Sequence, residues 1–218
     1  MKGKDFTSCR GDDNVYTPYS MTEQLLENEE FDYNKSVLEP ACGKLAIVTS
    51  LIKKGYFNDG MINYYDRYCT LFPVGKNFID EKNKYDYIIT NPPYKILDEF
   101  IIKAKEVAIE KFAFLCKLTH LGGIERFITG IFKDEIYPLT KIYLFTRQAN
   151  IRFTNDEQES RGYMPYRELR DDGKYPAGMF YYCWLIWERK NIEQYNRDKF
   201  PVLKWINNNK YILLKKDI

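Results

Sequence analysis

Histidine is almost missing from this chain: His120 is the single one among 218 residues. The five cysteines, Cys9, Cys42, Cys69, Cys116 and Cys183, are scattered, and no two of them form a CxxC pair. Zinc sites draw on Cys and His clustered at short spacings, so no metal site is expected. An odd, scattered set of thiols suits a reducing compartment, and a cytoplasmic setting is expected. Charge of one sign is also lacking. The balance of 33 Lys and Arg against 31 Asp and Glu leaves a net charge of +2. With no basic tail, any contact with a polyanion must come from local patches. No apolar run is long enough to span a bilayer. The stretch Met1 to Asn14 is polar and charged, so no secretory leader is expected. Internal repeats and low-complexity tracts are absent as well.

What is present is a length that suits one domain with its own core. Aromatic residues are abundant, with 19 Tyr and 14 Phe, and could supply stacking surfaces. The run Tyr87-Ile88-Ile89-Thr90 has the β-branched content of a buried strand and stops at Asn91-Pro92-Pro93-Tyr94. Proline after Asn91 keeps that residue extended. Two prolines in succession remove two backbone donors and fix φ twice. The expected result is a rigid strand end that presents an amide, a carbonyl and an aromatic ring. A plain Asn-Pro turn needs neither the second proline nor the tyrosine.

Upstream, Tyr16-Thr17-Pro18 leads into a helix in which Ser20 and Glu23 have the spacing of a capping box. Ser36 to Glu39 reads as a short strand, Pro40-Ala41-Cys42-Gly43 as a tight turn, and Leu45 to Lys54 as a helix stopped by Gly55. Strand, small-residue turn and helix form the first unit of a doubly wound sheet. Such a turn lets a ligand approach the backbone at a helix N-terminus. Glu39 at the strand end could accept hydrogen bonds from a ligand, or be a solvated strand end. Met61 to Tyr65 is the second strand, closed by Asp66. An acid at that place suits ribose hydroxyls, with a surface loop acid as the alternative. Asn77-Phe78-Ile79-Asp80 is read as a short strand or loop beside the pocket.

Ile96 to Ile109 shows strong helical periodicity. Phe112 to Cys116 and Lys141 to Thr146 read as strands, and Ile124 to Phe132 as a helix. His120 falls in a loop and is given no chemical role. Residues 147–178 break the rhythm, with Arg152, Arg161 and Arg167 among tyrosines. Arginine interleaved with aromatics suits backbone contact and base stacking, and a mobile surface excursion is the equal alternative. Met179 to Glu188 reads as a central strand. Asn191 to Ile218 is expected to pack as a helix or short strand on the outside of the sheet.

Glu39-Pro40-Ala41-Cys42-Gly43 resembles the cofactor motif of amino-group DNA methyltransferases, and Asn91-Pro92-Pro93-Tyr94 resembles their catalytic motif. Tyr16-Thr17-Pro18 is similar to the segment before the cofactor motif in adenine-N6 enzymes. Lys117 to Leu121 and Cys183 to Glu188 look like later stretches of small phage-type members. The resemblance runs over about residues 12–190, in the expected order. It implies a Rossmann-like α/β fold: a mixed seven-stranded sheet, helices on both faces, and one antiparallel strand near the end. A single domain, residues 1–218, would include no separate target-recognition domain.

It also implies S-adenosylmethionine as cofactor. Pro40 to Gly43 would hold its methionine part with Glu39 beneath, helped by Tyr16, Thr17 and Pro18. Asp66 would take the ribose, Asn77 or Asp80 the adenine amine, and Phe78 the adenine ring. Leu45 stands where the family usually has glycine, and Asn77 where it often has aspartate. Asn91 and Pro92 would accept the hydrogens of the target amine, Tyr94 would stack on the flipped base, and Arg152, Arg161 and Arg167 would contact double-stranded DNA. Adenine N6 in DNA is the expected acceptor. Cytosine N4, an RNA adenine, a protein glutamine, or a non-catalytic nucleic-acid-binding role are the alternatives. The oligomeric state stays open.

Overall fold

Side chains along a β-strand alternate between the two faces of its sheet, and this alternation sorts the core into two layers. The computed structural model describes residues 17–56, 60–67, 76–129, 132, 134, 136–146, 181–190 and 201–206. Seven strands form one sheet: β1 (Val37–Glu39), β2 (Ile62–Tyr64), β3 (Tyr85–Thr90), β4 (Ala108–Lys117), β5 (Leu139–Phe145), β6 (Tyr182–Glu188) and β7 (Val202–Ile206). Their spatial order is β2-β1-β3-β4-β6-β5-β7. Every neighbouring pair is parallel except the two that involve β6, which runs antiparallel between β4 and β5. The sheet is therefore mixed, with one reversed strand late in the chain, as expected. β7 is the edge strand beside β5, and its Val202, Leu203 and Trp205 are exposed.

On one face, Tyr87, Ile89, Ala113, Leu115, Tyr143, Phe145, Trp184 and Ile186 meet two helices, α1 (Tyr19–Asn28) and α2 (Ala46–Lys54). These supply Met21, Leu25, Ile47 and Leu51. On the other face, Ile88, Phe112, Phe114, Leu185 and Trp187 meet α3 (Leu97–Val107) through Leu97, Phe100, Ile101 and Ala104. The spacing of those α3 residues is one stripe of a helix. The indole of Trp187 stacks on Phe112, with ring centroids 4.7 Å apart. A short helix, α4 (Ile124–Thr129), follows a 3₁₀ turn at Leu118–Leu121.

Two local expectations fail. Ser20 does not cap the first helix. The helix begins at Tyr19, with Pro18 as the N-cap residue and no side-chain cap. Pro18 is preset near its φ of −62° with extended ψ, and its carbonyl accepts from Met21 N at 3.0 Å. Ser20 is consequently inside the helix and fully buried, and Glu23 faces Lys53 instead. Asn77 to Asp80 is neither strand nor open loop: Phe78–Asp80 is a 3₁₀ turn capped by the Asn77 side chain, which accepts from Ile79 N.

Candidate active site

The C-terminal ends of β1, β2 and β3 lie side by side, because these strands are parallel and adjacent. Beyond β1 the backbone turns through Pro40 to Leu45 before α2 starts. Gly43 has φ +46° and Leu45 φ +64°. The glycine takes that left-handed geometry freely. The leucine does so against a steric penalty, and it is the N-cap of α2. Leu45 N donates to Cys42 O at 2.7 Å, which closes the turn. The β1–β2 pairing continues past the strands through Tyr65 N to Glu39 O and Cys42 N to Tyr65 O. This places the Asp66 carboxylate 3.0 Å from Gly43 N, from which it accepts a hydrogen bond.

Glu39 is fully buried. Its Oε1 accepts from Ala41 N at 3.0 Å and from the Thr90 hydroxyl at 2.5 Å. Its Oε2 is buried with no hydrogen-bond partner among the described residues. Burial pushes the carboxyl up to about 8, hydrogen bonds from Thr90 and Ala41 pull it back, and the charge of Asp66 adds to the rise. A half-satisfied acid in the interior is costly. The unused oxygen is suited to an ammonium or hydroxyl donor. At the turn above it, a methyl group added at Gly43 would meet nothing within 4 Å, so the backbone there is open to close approach.

The end of β3 carries Asn91, half-buried, and Pro92, buried. The Tyr94 hydroxyl donates to Asn91 Oδ1 at 3.0 Å and so fixes the amide. Pro93 begins a 3₁₀ turn at Tyr94–Ile96 that runs into α3. The Tyr94 ring rests 4.7 Å from the ring of His120, and Lys117 Nζ sits over it at 5.1 Å. Lys117 ends β4, the next parallel strand, so its place follows from the sheet.

The structure thus brings Glu39, Pro40, Ala41, Cys42, Gly43, Asp66, Asn91, Pro92 and Tyr94 to one rim. Asn77 and Phe78 stand beyond β2, and Phe78 is buried with its ring 4.9 Å from that of Phe100. Asp80 is exposed. Thr17 is half-buried and Pro18 buried at the head of α1. Tyr16, Arg152, Arg161, Arg167 and the whole stretch 147–178 lie outside the described residues. In the sequence alone Thr90 and Lys117 have no role at the site, and His120 falls in a loop without a chemical role. Thr90 is the one aliphatic hydroxyl in β3, and Lys117 closes β4; both are signals that position at a strand end makes meaningful. Among the described residues no group of three His, Cys, Asp or Glu side chains could hold a metal ion.

Neither a family model nor a curated protein sequence matches the chain. Solved structures do. A protein assigned as the modification subunit of a type I restriction enzyme from Vibrio vulnificus matches over 96% of this chain and 51% of its own, at 13% identity and TM-score 0.56. The type I restriction-modification system methyltransferase subunit from Streptococcus thermophilus matches over 84% and 47%, at 12% identity and TM-score 0.51. A protein assigned as an RNA methyltransferase from Pyrococcus horikoshii matches over 86% and 90%, at 12% identity and TM-score 0.51. At such identities the likeness shows the fold, which is the Rossmann-like fold of methyltransferases. The chain spans about half the length of the type I subunits it matches.

Proposed function

We propose that this chain transfers a methyl group from S-adenosylmethionine to the N6 amino group of adenine in DNA. The observation that carries the reading is the half-satisfied, fully buried Glu39 at a strand end, hydrogen-bonded through Thr90 to the strand that presents Asn91-Pro92-Pro93-Tyr94. A fold with no use for Glu39 would gain stability by losing it, which argues against a non-catalytic relic.

The donor set fits the cofactor. Glu39 Oε2 would accept from its ammonium group, Asp66 would accept from ribose hydroxyls, and Pro40 to Gly43 would face its methionine part, with Thr17 and Pro18 alongside. Asn77 or Asp80 would meet its adenine amine and Phe78 its ring. When bound, the cofactor would supply an electrophilic sulfonium methyl group and leave as the neutral thioether, while the methylated nitrogen would release one of its two protons to solvent.

The chain's own residues then do the rest. Adenine N6 is a weak nucleophile because its lone pair is delocalised into the ring. Asn91 Oδ1 would exchange the Tyr94 hydroxyl for one N6 hydrogen, and the Pro92 carbonyl would accept the other. Holding both hydrogens favours a pyramidal nitrogen with a directed lone pair, so positioning and electrostatics carry the rate. Tyr94 would stack on the base once it leaves the duplex. DNA contact is assigned to Arg152, Arg161 and Arg167 on sequence pattern alone. The type I modification subunits among the structural neighbours support a DNA acceptor.

The test is transfer of labelled methyl from S-adenosylmethionine to unmethylated double-stranded DNA, followed by nucleoside analysis. N6-methyladenine is expected, with Asn91→Ala lowering the rate on the order of a hundredfold or more. Label on RNA alone would move the acceptor to RNA, the substrate class in the name of the Pyrococcus neighbour. A wild-type chain that does not bind the cofactor would overturn the reading.

A further inference from the structure

We infer that Thr90 is a positioning residue: by donating its hydroxyl hydrogen to Glu39 Oε1 it leaves Oε2 as the acceptor for a ligand ammonium group and ties the cofactor side of the rim to the strand end that carries Asn91. The inference rests on the methyltransferase reading for the identity of that ligand.

The geometry behind it is specific. Thr90 is fully buried and is the last residue of β3, directly before Asn91. β1 and β3 pair in parallel, with Val37 opposite Tyr87 and Leu38 opposite Ile88. Continuing that register brings Glu39 and Thr90 to neighbouring levels of the same rim, and the 2.5 Å hydrogen bond joins them across 51 positions of sequence. Packing alone would be served by valine, which has the same shape without a donor. A hydroxyl kept at a fully buried strand position is costly unless it is bonded, and here its bond goes to a carboxylate whose other oxygen is buried and has no partner among the described residues.

The bond has a consequence for protonation. Burial is the main force raising the Glu39 carboxyl to about 8, and the Thr90 hydrogen bond is the foremost force opposing it, followed by Ala41 N. Asp66, from the segment after β2, adds a like charge that raises it further. The Tyr65 phenol, raised chiefly by burial, feels the Glu39 charge as a further, smaller push upward. Glu39 must ionise to pair with an ammonium group, so losing the Thr90 donor makes ion pairing at neutral pH harder.

Two variants test this, Thr90→Val and Thr90→Ser. The first measurement is the midpoint of Glu39 ionisation in the free protein, followed by the carboxyl resonance of labelled glutamate and assigned by its loss in Glu39→Gln. The second is affinity for S-adenosylmethionine at pH 7 by calorimetry. Thr90→Val is expected to raise the midpoint by about one pH unit and weaken binding by about tenfold. Thr90→Ser, which keeps the donor, is expected to stay near wild type in both. A midpoint unmoved in Thr90→Val, or a cofactor affinity equal to wild type, would overturn the inference. Failure of the underlying reading is visible separately: the wild-type chain itself would then show no cofactor binding, whatever the midpoint did.

Discussion

Leu45 is the residue at which backbone geometry and side-chain identity disagree. Its φ of +64° belongs to the left-handed region, where a Cβ crowds the following carbonyl at a cost of about 1–2 kcal/mol. Gly43, two positions earlier, meets the same demand at φ +46° without that cost. Leu45→Gly is expected to stabilise the free protein by roughly 0.5 kcal/mol, since relief of strain exceeds the added unfolded-state entropy. Gly43→Ala is expected to cost about 1 kcal/mol from backbone strain alone, because the new methyl has open space. Urea titration of both variants checks the pair, and a destabilised Leu45→Gly would mean that the leucine side chain outweighs its backbone. Glu39 offers a second test at this scale. The native state keeps its proton up to about pH 8, whereas the unfolded chain loses it near 4.5. Between those values the native state binds more protons, so this group's contribution is full below pH 4.5 and declines as pH rises to 8. Glu39→Gln should flatten that part of the stability–pH curve. An unchanged slope would show that Glu39 ionises normally in the native state.

At the scale of elements, α1 is anchored to the far rim of the sheet by a buried ion network. Glu29, just past the helix, meets Lys111 Nζ at 2.8 Å and Lys141 Nζ at 2.9 Å, and accepts from the Tyr143 hydroxyl at 2.8 Å. The Tyr143 hydroxyl shares its one hydrogen between Glu29 and the Asn28 carbonyl at 2.9 Å, and Lys111 also donates to the Glu30 carbonyl, so the end of the helix is met by the strands beneath it. Glu188 closes the network from β6; burial raises its carboxyl, but Lys141 and then Lys111 and Lys190 outweigh that and hold it at about 2. Glu29→Ala is expected to cost about 3 kcal/mol in a denaturant titration, because it strands two lysines on one remaining acid. The loss should persist at high salt, unlike any effect of the exposed Lys53–Glu23 pair. Elements of this kind were legible in the sequence to different depths. The β3 run, the α3 stripe and the turn after β1 could be read because their signals are local: alternation, helical period, glycine and proline. The start of α1 was misread because Ser20 and Glu23 match a capping pattern that Pro18 pre-empts. The outer position of β7 was legible, but charges among its apolar residues left helix and strand undecided. The Glu39–Thr90 and Tyr94–His120 contacts could not be read at all, since each joins distant stretches through the sheet and no local pattern encodes either.

For the whole molecule, the decisive feature is that the strand completing the middle of the sheet arrives late in the chain. β6 pairs along its length with β4 on one side and β5 on the other, from Lys111 opposite Glu188 to Lys117 opposite Tyr182 on the β4 side. Its side chains bind both core layers. Trp187 stacks on Phe112 and Phe132, while the Trp184 indole donates to the Met21 carbonyl of α1 at 2.9 Å. The first helix and the sixth strand therefore depend on each other across 163 positions of sequence. Such long-range closure is expected to slow folding, since β4 and β5 lack their shared partner until β6 arrives. Two truncations separate this from a simple dependence on length. A chain ended after Lys190 loses β7, an edge strand with exposed side chains, and is expected to keep one cooperative unfolding transition at a lower urea midpoint. A chain ended after Thr146 loses β6 as well, which leaves β4 and β5 without their shared partner and uncovers Phe112 and Met21. It is expected to lose the cooperative transition and the near-ultraviolet signal of fixed aromatic packing, while retaining part of its helical signal. A sharp transition in the shorter chain would show that the first five strands form a self-sufficient core, and that β6 is added to a sheet already folded without it.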